Sequence, residues 1–370
     1  MLPAATTHKR SLADVVPNCL DALAGQGNRM GLPRVQKAVV VVVDGLGHEL
    51  LSSHAGHART LARRLPHDPA IGAGFPTTTV AALATLTTGE PAGRHGLVGY
   101  RSYDPVHDRV VNQLSGWEGL DPRSWQRVPT LFESAATRGV RSTAIAHPRY
   151  VDSAFTGAVL RGAEFAGAAD AASRVATLAR ALGVPGPALI YYYVPDLDVA
   201  GHAKGVASGE WIGALEALDA ELGEVVGVLG PRHGLVVTAD HGMVDVPEHA
   251  HRIPAPALLD GVRHVAGEPR CLQLHLDDAV DVAALAERWR ASEGKRAWVA
   301  TRDEAIAAGW FGAVDAEVRP RIGELLVAAR GVHAYYVDPG DKARGMVGQH
   351  GSLTPAETAI PLLRFGAFAA

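Results

Sequence analysis

The chain has 370 residues, 47% of them hydrophobic and 20% charged, which is enough for a large core in one or two globular domains. Its 35 basic and 39 acidic residues give a net charge of −4, without the basic excess that binds nucleic-acid polymers. Two cysteines exclude a disulfide scaffold, and neither a signal peptide nor a run of roughly 18 apolar residues that could span a membrane is visible. We therefore expect a cytoplasmic protein with no membrane partner, and the oligomeric state stays open.

Four short runs rich in β-branched or aromatic residues predict buried strands. In chain order they are Lys37–Val43, Arg141–Ala146, Ala188–Val194 and Leu235–Ala239. Continuous apolar runs bounded by turn residues are typical of parallel strands that are buried on both faces. Three of the four runs are followed within four residues by aspartates, which are Asp44, then Asp196 with Asp198, and Asp240.

Helical stretches separate these strands. A leading helix and loop are expected in residues 1–36, and further helices at Thr79–Thr87, Ala168–Leu182 and Ser208–Leu229. Strands that alternate with helices predict an α/β fold with a doubly wound, mostly parallel central sheet flanked by helices. Ligands bind such sheets beyond the carboxyl ends of the strands, which is where the aspartates are expected.

The stretch from 251 to 330 has a different pattern. It contains candidate strands at Cys271–Leu276 and Gly323–Ala329 around a candidate helix at Val282–Ala291. We interpret residues 251–330 as a small inserted α+β module. The catalytic core would then comprise residues 1–250 and 331–370.

Metal-binding residue types cluster at the predicted strand ends. An aspartate and a histidine four residues apart can bind one cation together. An adjacent Asp-His pair follows another predicted strand. The candidates are Asp44, Asp198, His202, Asp240, His241 and His350. Taken singly, each is more often a cap, a turn residue or a satisfied core group. Together they offer three carboxylates and three imidazoles, a set that suits two zinc ions, with manganese or iron as substitutes.

Six segments in this order resemble the nucleotide pyrophosphatase/phosphodiesterase branch of the alkaline phosphatase superfamily. They are VVVDGLG (41–47), FPTTTVAALATLTTG (75–89), HGLVG (95–99), PDLDVAGH (195–202), TADHGM (238–243) and GQHG (348–351). The resemblance implies an alkaline phosphatase-like fold and two-metal hydrolysis of a phosphodiester or pyrophosphate bond. A small phosphorylated substrate, with a nucleotide as the leading candidate, is expected in place of any nucleic-acid polymer.

The resemblance also implies roles for individual residues. It places Asp44, Thr79, Asp240 and His241 around one metal, and Asp198, His202 and His350 around the other. It makes Thr79 the nucleophile, with a phospho-threonine intermediate, although the register among the three threonines stays open by a residue or two. Metal coordination would turn the hydroxyl into an alkoxide, and a helix N-terminus would favour the phosphate.

One position departs from the family pattern. Relatives usually carry an asparagine after the HG-x-V-G segment, where it donates a hydrogen bond to the phosphate, whereas this chain has Tyr100. The phenol could donate instead. A phosphomonoesterase or phosphonate hydrolase on the same site is therefore the first alternative. A phosphomutase, which would have a larger insertion, and a non-catalytic binding protein, which would have lost ligands, are less favoured.

Overall fold

A computed structural model describes residues 2–4 and 8–369. In this part of the chain the helices are α1 (Val15–Ala24), α2 (His48–Ser53), α3 (Arg59–Ala62), α4 (Thr79–Thr88), α5 (Ala92–His95), α6 (Pro122–Trp125), α7 (Leu131–Thr137), α8 (Ala154–Val159), α9 (Ala171–Gly183), α10 (Asp196–Lys204), α11 (Gly209–Gly227), α12 (Val282–Glu293), α13 (Arg302–Ala307) and α14 (Pro355–Thr358). Across the same residues, none of the helices is both long and apolar enough to cross a bilayer.

The strands are β1 (Lys37–Val43), β2 (Ile71–Gly72), β3 (Arg101–Asp104), β4 (Arg109–Asn112), β5 (Arg141–Ala146), β6 (Glu164–Gly167), β7 (Ala188–Val194), β8 (His233–Ala239), β9 (Val244–Asp245), β10 (His251–Arg252), β11 (Val262–Glu268), β12 (Cys271–Leu276), β13 (Ala297–Thr301), β14 (Leu325–Ala329), β15 (Ala334–Tyr335), β16 (Gly348–Gln349), β17 (Ala359–Ile360) and β18 (Leu362–Gly366).

The central sheet has the strand order β18-β8-β1-β7-β5-β6. Its strands pair in parallel except for β18, which runs antiparallel to β8. All seven residues of β1 and of β7 are buried, because helices cover the sheet and leave no polar face. The predicted doubly wound α/β fold is confirmed.

Some element boundaries differ from those predicted, because helix caps and the pairing of strand ends decide where an element begins. α9 begins at Ala171, three residues later than predicted, since Asp170 is its N-cap and accepts a hydrogen bond from the Ser173 amide. Ser208, predicted as the first residue of a helix, is instead the N-cap of α11. β8 begins two residues earlier than expected, at His233, which pairs with Lys37.

A second, antiparallel sheet has the order β11-β12-β14-β13 and packs with α12. All four strands lie within the stretch interpreted as an inserted module. Some apolar residues of the 251–330 stretch pack against the rest of the chain. Phe75 contacts Trp310 and Phe311 edge to face, with ring centroids 5.1 Å apart in both cases. The small inserted α+β module at 251–330 stays a prediction.

Arg270 and Glu357 form a fully buried ion pair between the second sheet and α14. Both side chains are 0% exposed, and Arg270 Nε and Nη2 donate to the two carboxylate oxygens over 3.0 and 2.6 Å. Arg270 Nη1 also donates to the carbonyls of Gly331 and His333. The Ser352 amide donates to Glu357 Oε1 over 2.9 Å. Each buried charge is therefore compensated.

Replacing Arg270 with methionine should lower the free energy of unfolding by about 3 to 5 kcal/mol, because the Glu357 charge would be left buried without its partner. Arg127→Met is the matched control, since Arg127 pairs with Glu317 at the surface, where the two side chains are 34% and 64% exposed. The control should cost less than about 1 kcal/mol. Guanidinium-induced unfolding measures both, and equal costs would contradict the assignment.

Candidate active site

The carboxyl ends of β1, β7 and β8 meet at one edge of the central sheet. Val43 of β1 lies opposite Val194 and Ala239, so Asp44 and Asp240 emerge side by side. Asp198 comes from the first turn of α10, directly after β7. Gly45 permits this approach, since it has a φ of 75° and a Cβ there would lie 3.3 Å from the Asp198 Cα atom.

Three consecutive threonines occupy three different positions at the start of α4. Thr77 donates to the Ser352 carbonyl over 2.8 Å and accepts from the Gly351 amide over 3.0 Å. Thr78 is the N-cap, and its hydroxyl accepts from the Ala81 amide. Thr79 is the first residue of the helix, and its Oγ1 atom lies 3.3 Å from Nε2 of His241. Of the three, it is the hydroxyl of Thr79 that contacts a predicted metal ligand.

His241 is the centre of the first cluster of polar atoms. Its Nε2 atom lies 3.3 Å from Oδ1 of Asp44 and 3.6 Å from Oδ2 of Asp240. Tyr193 donates its hydroxyl proton to Oδ2 of Asp44. The amides of Gly45 and His241 both donate to Oδ1 of Asp240. These bonds fix the carboxylates so that one oxygen of each faces Nε2.

The second cluster comprises Asp198, His202 and His350. Oδ1 of Asp198 lies 3.3 Å from Nε2 of His202 and 3.8 Å from Nε2 of His350, and the two Nε2 atoms are 3.2 Å apart. The imidazole rings of His241 and His350 stack with centroids 3.6 Å apart, which joins this cluster to the first. The structure therefore brings together all seven residues that the sequence proposed for the metal site.

The donors in these clusters fit divalent cations. The Nδ1 atom of each imidazole lies within hydrogen-bond distance of a backbone carbonyl oxygen. The distances are 2.7 Å from His202 to Gly348, 2.8 Å from His350 to Thr77 and 3.0 Å from His241 to Gly242. A carbonyl only accepts, so each Nδ1 carries a proton and Nε2 is the ring nitrogen left to bind a cation.

The carboxylate oxygens of the two clusters also fit divalent cations. Oδ1 of Asp44, Oδ1 of Asp198 and Oδ2 of Asp240 are buried, and none has a hydrogen-bond partner among the described residues. Buried acceptors that converge in this way require a positive charge between them. Two overlapping groups, Asp198 with both His202 and His350, and Asp198 with Asp44 and His241, have donor atoms within 4.8 Å of one another.

The pKa values of the carboxyl groups in the site also indicate that a positive charge would stabilise their ionised forms. Burial and the charge of Asp44 raise the pKa of Asp198 to about 8, and burial and the charge of Asp240 raise the pKa of Asp44 well above its usual range. Burial lowers the pKa of His241 to about 4, so this imidazole is neutral at pH 7. Divalent cations would reverse the carboxyl shifts, because they favour the ionised form.

Two cavities meet at Thr79, Leu114 and Asp198. The apolar cavity, of about 230 Å³, also includes Asp44, and its remaining lining is mostly apolar or aromatic, with Leu83, Tyr150, Phe155, Val159, Leu160 and Tyr191. The polar cavity, of about 490 Å³, also includes His202 and His350, together with Tyr100, Glu268, Lys342 and Gln349. The two names refer to the residue types in each lining, since apolar atoms supply most of the accessible surface in both cavities.

Tyr100 lines the polar cavity together with Thr79. Its hydroxyl oxygen accepts a hydrogen bond from Nδ2 of Asn112 over 2.8 Å, so the phenol proton is free to point elsewhere. The sequence did not point to Asn112 or Glu268, because both reach this region from hairpins with no motif of their own. Asp196 stands apart from the metal-binding clusters, and its carboxylate accepts from Arg174 over 3.1 Å.

Comparisons with known proteins give matches at the level of sequence family and of fold. Residues 38–353 match the model of the family described as type I phosphodiesterase / nucleotide pyrophosphatase. An uncharacterized pyrophosphatase/phosphodiesterase of Schizosaccharomyces pombe is 24% identical over 229 residues, which are 57% of this chain and 45% of the yeast protein. The chain spans less than half the length of the curated relatives it matches.

Two solved structures share the fold at low sequence identity. Murine ectonucleotide pyrophosphatase/phosphodiesterase 5 superposes with a TM-score of 0.71 and 17% identity, over 90% of this chain and 88% of the murine one. Phosphonoacetate hydrolase from Sinorhizobium meliloti 1021 gives 0.70 and 18%, over 90% and 91%. Since the family model covers residues 38–353 of 370, the chain belongs to the type I phosphodiesterase/nucleotide pyrophosphatase family, within the alkaline phosphatase superfamily.

Proposed function

We propose that the chain is a two-metal hydrolase that cleaves phosphodiester bonds of small, nucleotide-like substrates through a phospho-threonine intermediate. The observation that carries this proposal is the convergence of three Nε2 atoms and three unpartnered carboxylate oxygens beside the Thr79 hydroxyl. Asp44, Asp240, His241 and Thr79 would hold one ion, and Asp198, His202 and His350 the other. Bound divalent ions would neutralise the phosphoryl oxygens and lower the pKa of the attacking hydroxyl.

The residues around Thr79 suit a displacement at phosphorus. Oγ1 of Thr79 would form the new bond to phosphorus as the bond to the departing alcohol breaks, and water would later release the phosphoryl group. Because the Thr78 hydroxyl caps the Ala81 amide, the amides of Thr79 and Val80 are left for a phosphoryl oxygen at the helix N-terminus. The phenol proton of Tyr100 could bind a second oxygen.

The apolar cavity supports a nucleoside-like substituent. Tyr150 and Phe155 offer aromatic surface in its lining, which also includes Leu83. A base and a sugar are flat and partly apolar, and they bind well to a lining of this kind. The murine protein of similar fold has been solved in complex with AMP, as an inactive threonine-to-alanine variant.

Charge in the two cavities favours a diester. A monoester carries one more negative charge than a diester and needs further compensation. Arg94 pairs with Asp315, Arg101 donates to the Gly267 carbonyl, and neither arginine lines either cavity. The one lysine or arginine in the two linings is Lys342, an exposed residue.

A direct comparison of substrates tests the proposal. We expect kcat/KM for thymidine 5′-(4-nitrophenyl phosphate) to exceed that for 4-nitrophenyl phosphate by about tenfold or more, which corresponds to about 1.4 kcal/mol of transition-state stabilisation. Arg94→Ala should leave this ratio unchanged. A clear preference for the monoester would indicate a phosphatase, and turnover of phosphonoacetate in place of both nitrophenyl esters would indicate a phosphonate hydrolase.

A further inference from the structure

Glu268 is a buried carboxyl group that the proposed reaction does not use. It ends β11 in the second sheet, is 4% exposed and lines the polar cavity, together with Thr79 and Asp198. Lys342, a further charged residue in this lining, is exposed. Glu268 is therefore a buried acidic group in this lining that belongs to neither metal-binding cluster.

Only one of the two carboxyl oxygens of Glu268 has a partner. Oε2 accepts a hydrogen bond from the Tyr100 amide over 3.1 Å, which fixes the side chain beside the cavity. Oε1 is buried and has no hydrogen-bond partner in the part of the chain that the structure describes. Arg101 donates to the Gly267 carbonyl and not to this carboxylate.

An unpartnered buried carboxyl oxygen is unfavourable in the absence of a ligand. Burial raises the pKa of Glu268 to about 8, which reflects the cost of holding the charge there. A ligand that donates a hydrogen bond to Oε1 would remove this cost. A hydrocarbon would leave the oxygen unsatisfied, and an anionic group would meet it with the wrong charge.

We propose that Glu268 recognises a hydrogen-bond donor, a protonated amine or a hydroxyl, on the phosphate substituent that occupies the polar cavity. This inference rests on the proposed function, because it assigns the polar cavity to one substituent of the phosphodiester. The substrate would then have an apolar, nucleoside-like group on one side and a short polar alcohol on the other.

Binding to the zinc-loaded Thr79→Ala protein tests the inference without turnover. Isothermal titration with 3-aminopropyl phosphate and with propyl phosphate should show the amino compound binding about 10 to 100 times more tightly, as expected for a charge-assisted hydrogen bond. Adding Glu268→Ala should abolish the difference. Adding Glu287→Ala, which removes a carboxylate that is 72% exposed on α12 of the same region, should preserve it.

The ratio of the two affinities separates recognition from a structural role. If Glu268 only anchored the Tyr100 amide, its loss would weaken both compounds equally and leave their ratio unchanged. Equal affinities in the Thr79→Ala protein, or a preference that survives Glu268→Ala, would overturn the inference. Glu268→Gln keeps the shape of the side chain but removes its charge, so this variant should lose most of the preference for the amine. The amide oxygen of the glutamine still accepts a hydrogen bond from the hydroxyl of 3-hydroxypropyl phosphate.

Turnover by the wild-type protein is a separate measurement. If thymidine 5′-(4-nitrophenyl phosphate) and the propyl and 3-aminopropyl esters of 4-nitrophenyl phosphate all resist hydrolysis, the proposed hydrolysis fails, and the binding ratio still decides the role of Glu268. If both are hydrolysed, kcat/KM should be about tenfold higher for the amino ester.

Discussion

Thr79→Ala should reduce kcat by about a thousandfold or more while leaving the fold and most of the metal content intact, as the loss of a nucleophile does in other hydrolases. This expectation rests on where the Thr79 hydroxyl lies in the site. Thr79 Oγ1 lies 3.3 Å from Nε2 of His241 and is shared by both cavities. Steady-state rates with a nitrophenyl diester, together with elemental analysis and circular dichroism of the variant, provide the measurement.

The neighbouring threonines are the internal controls. Thr78→Ala removes the N-cap of α4 and should cost about 1 kcal/mol of stability with a much smaller loss of rate. Thr77→Ala removes the two hydrogen bonds to Ser352 and Gly351 and should also be milder than Thr79→Ala. If one of these two variants is inactive and Thr79→Ala is not, the nucleophile has been assigned to the wrong threonine.

Removal of the metals should have an effect of similar size. We expect the protein to purify with, or to be activated by, two divalent transition-metal ions per chain, with zinc favoured by the mixed nitrogen and oxygen donors. Dialysis against a chelator should abolish hydrolysis, and added zinc should restore it. The physical reason is that three carboxylates carry buried oxygens with no hydrogen-bond partner among the described residues, beside three imidazoles whose Nδ1 atoms face backbone carbonyls. Full activity in a demonstrably metal-free sample would refute the two-metal proposal.

Two aspartates on one turn of α10 provide a matched pair for this experiment. Asp198→Asn should lower both metal content and rate, because Oδ1 of Asp198 lies 3.3 Å from Nε2 of His202. Asp196→Asn should retain both metals, since the Asp196 side chain is 56% exposed and binds Arg174. Inductively coupled plasma mass spectrometry of the two variants measures the difference, and similar metal losses would argue against the assignment of Asp198.

The fold and the grouping of polar residues could be predicted because they depend on local pattern. The valines of β1 and the apolar run of β7 indicate parallel strands, and parallel strands place the residues after them at one edge of a sheet. Asp44, Asp240 and Asp198 therefore lie close together, as expected. The family implied by the ordered motifs is confirmed, whereas the metal-binding roles stay proposals.

What could not be predicted depends on long-range pairing. β11 and β13 were missed. β11 carries charged and polar residues along VRHVAGE, and β13 runs directly into α13, because its last residue, Thr301, is the N-cap of that helix. Glu268 reaches the polar cavity through the pairing of β11 with β12, and Asn112 reaches Tyr100 through the hairpin of β3 and β4. No spacing rule in the sequence links either residue to Thr79, so neither could be placed at the site.

The arrangement of the two cavities bears on the order of events in a catalytic cycle. The two cavities share Thr79, Leu114 and Asp198 in their linings and no other residue, so the two substituents of a phosphodiester at Thr79 would occupy different spaces. The alcohol released in the first step would vacate one cavity while the group still attached to Thr79 fills the other. Water for the second step would then take the place of the departed alcohol. Each product would inhibit by returning to its own cavity.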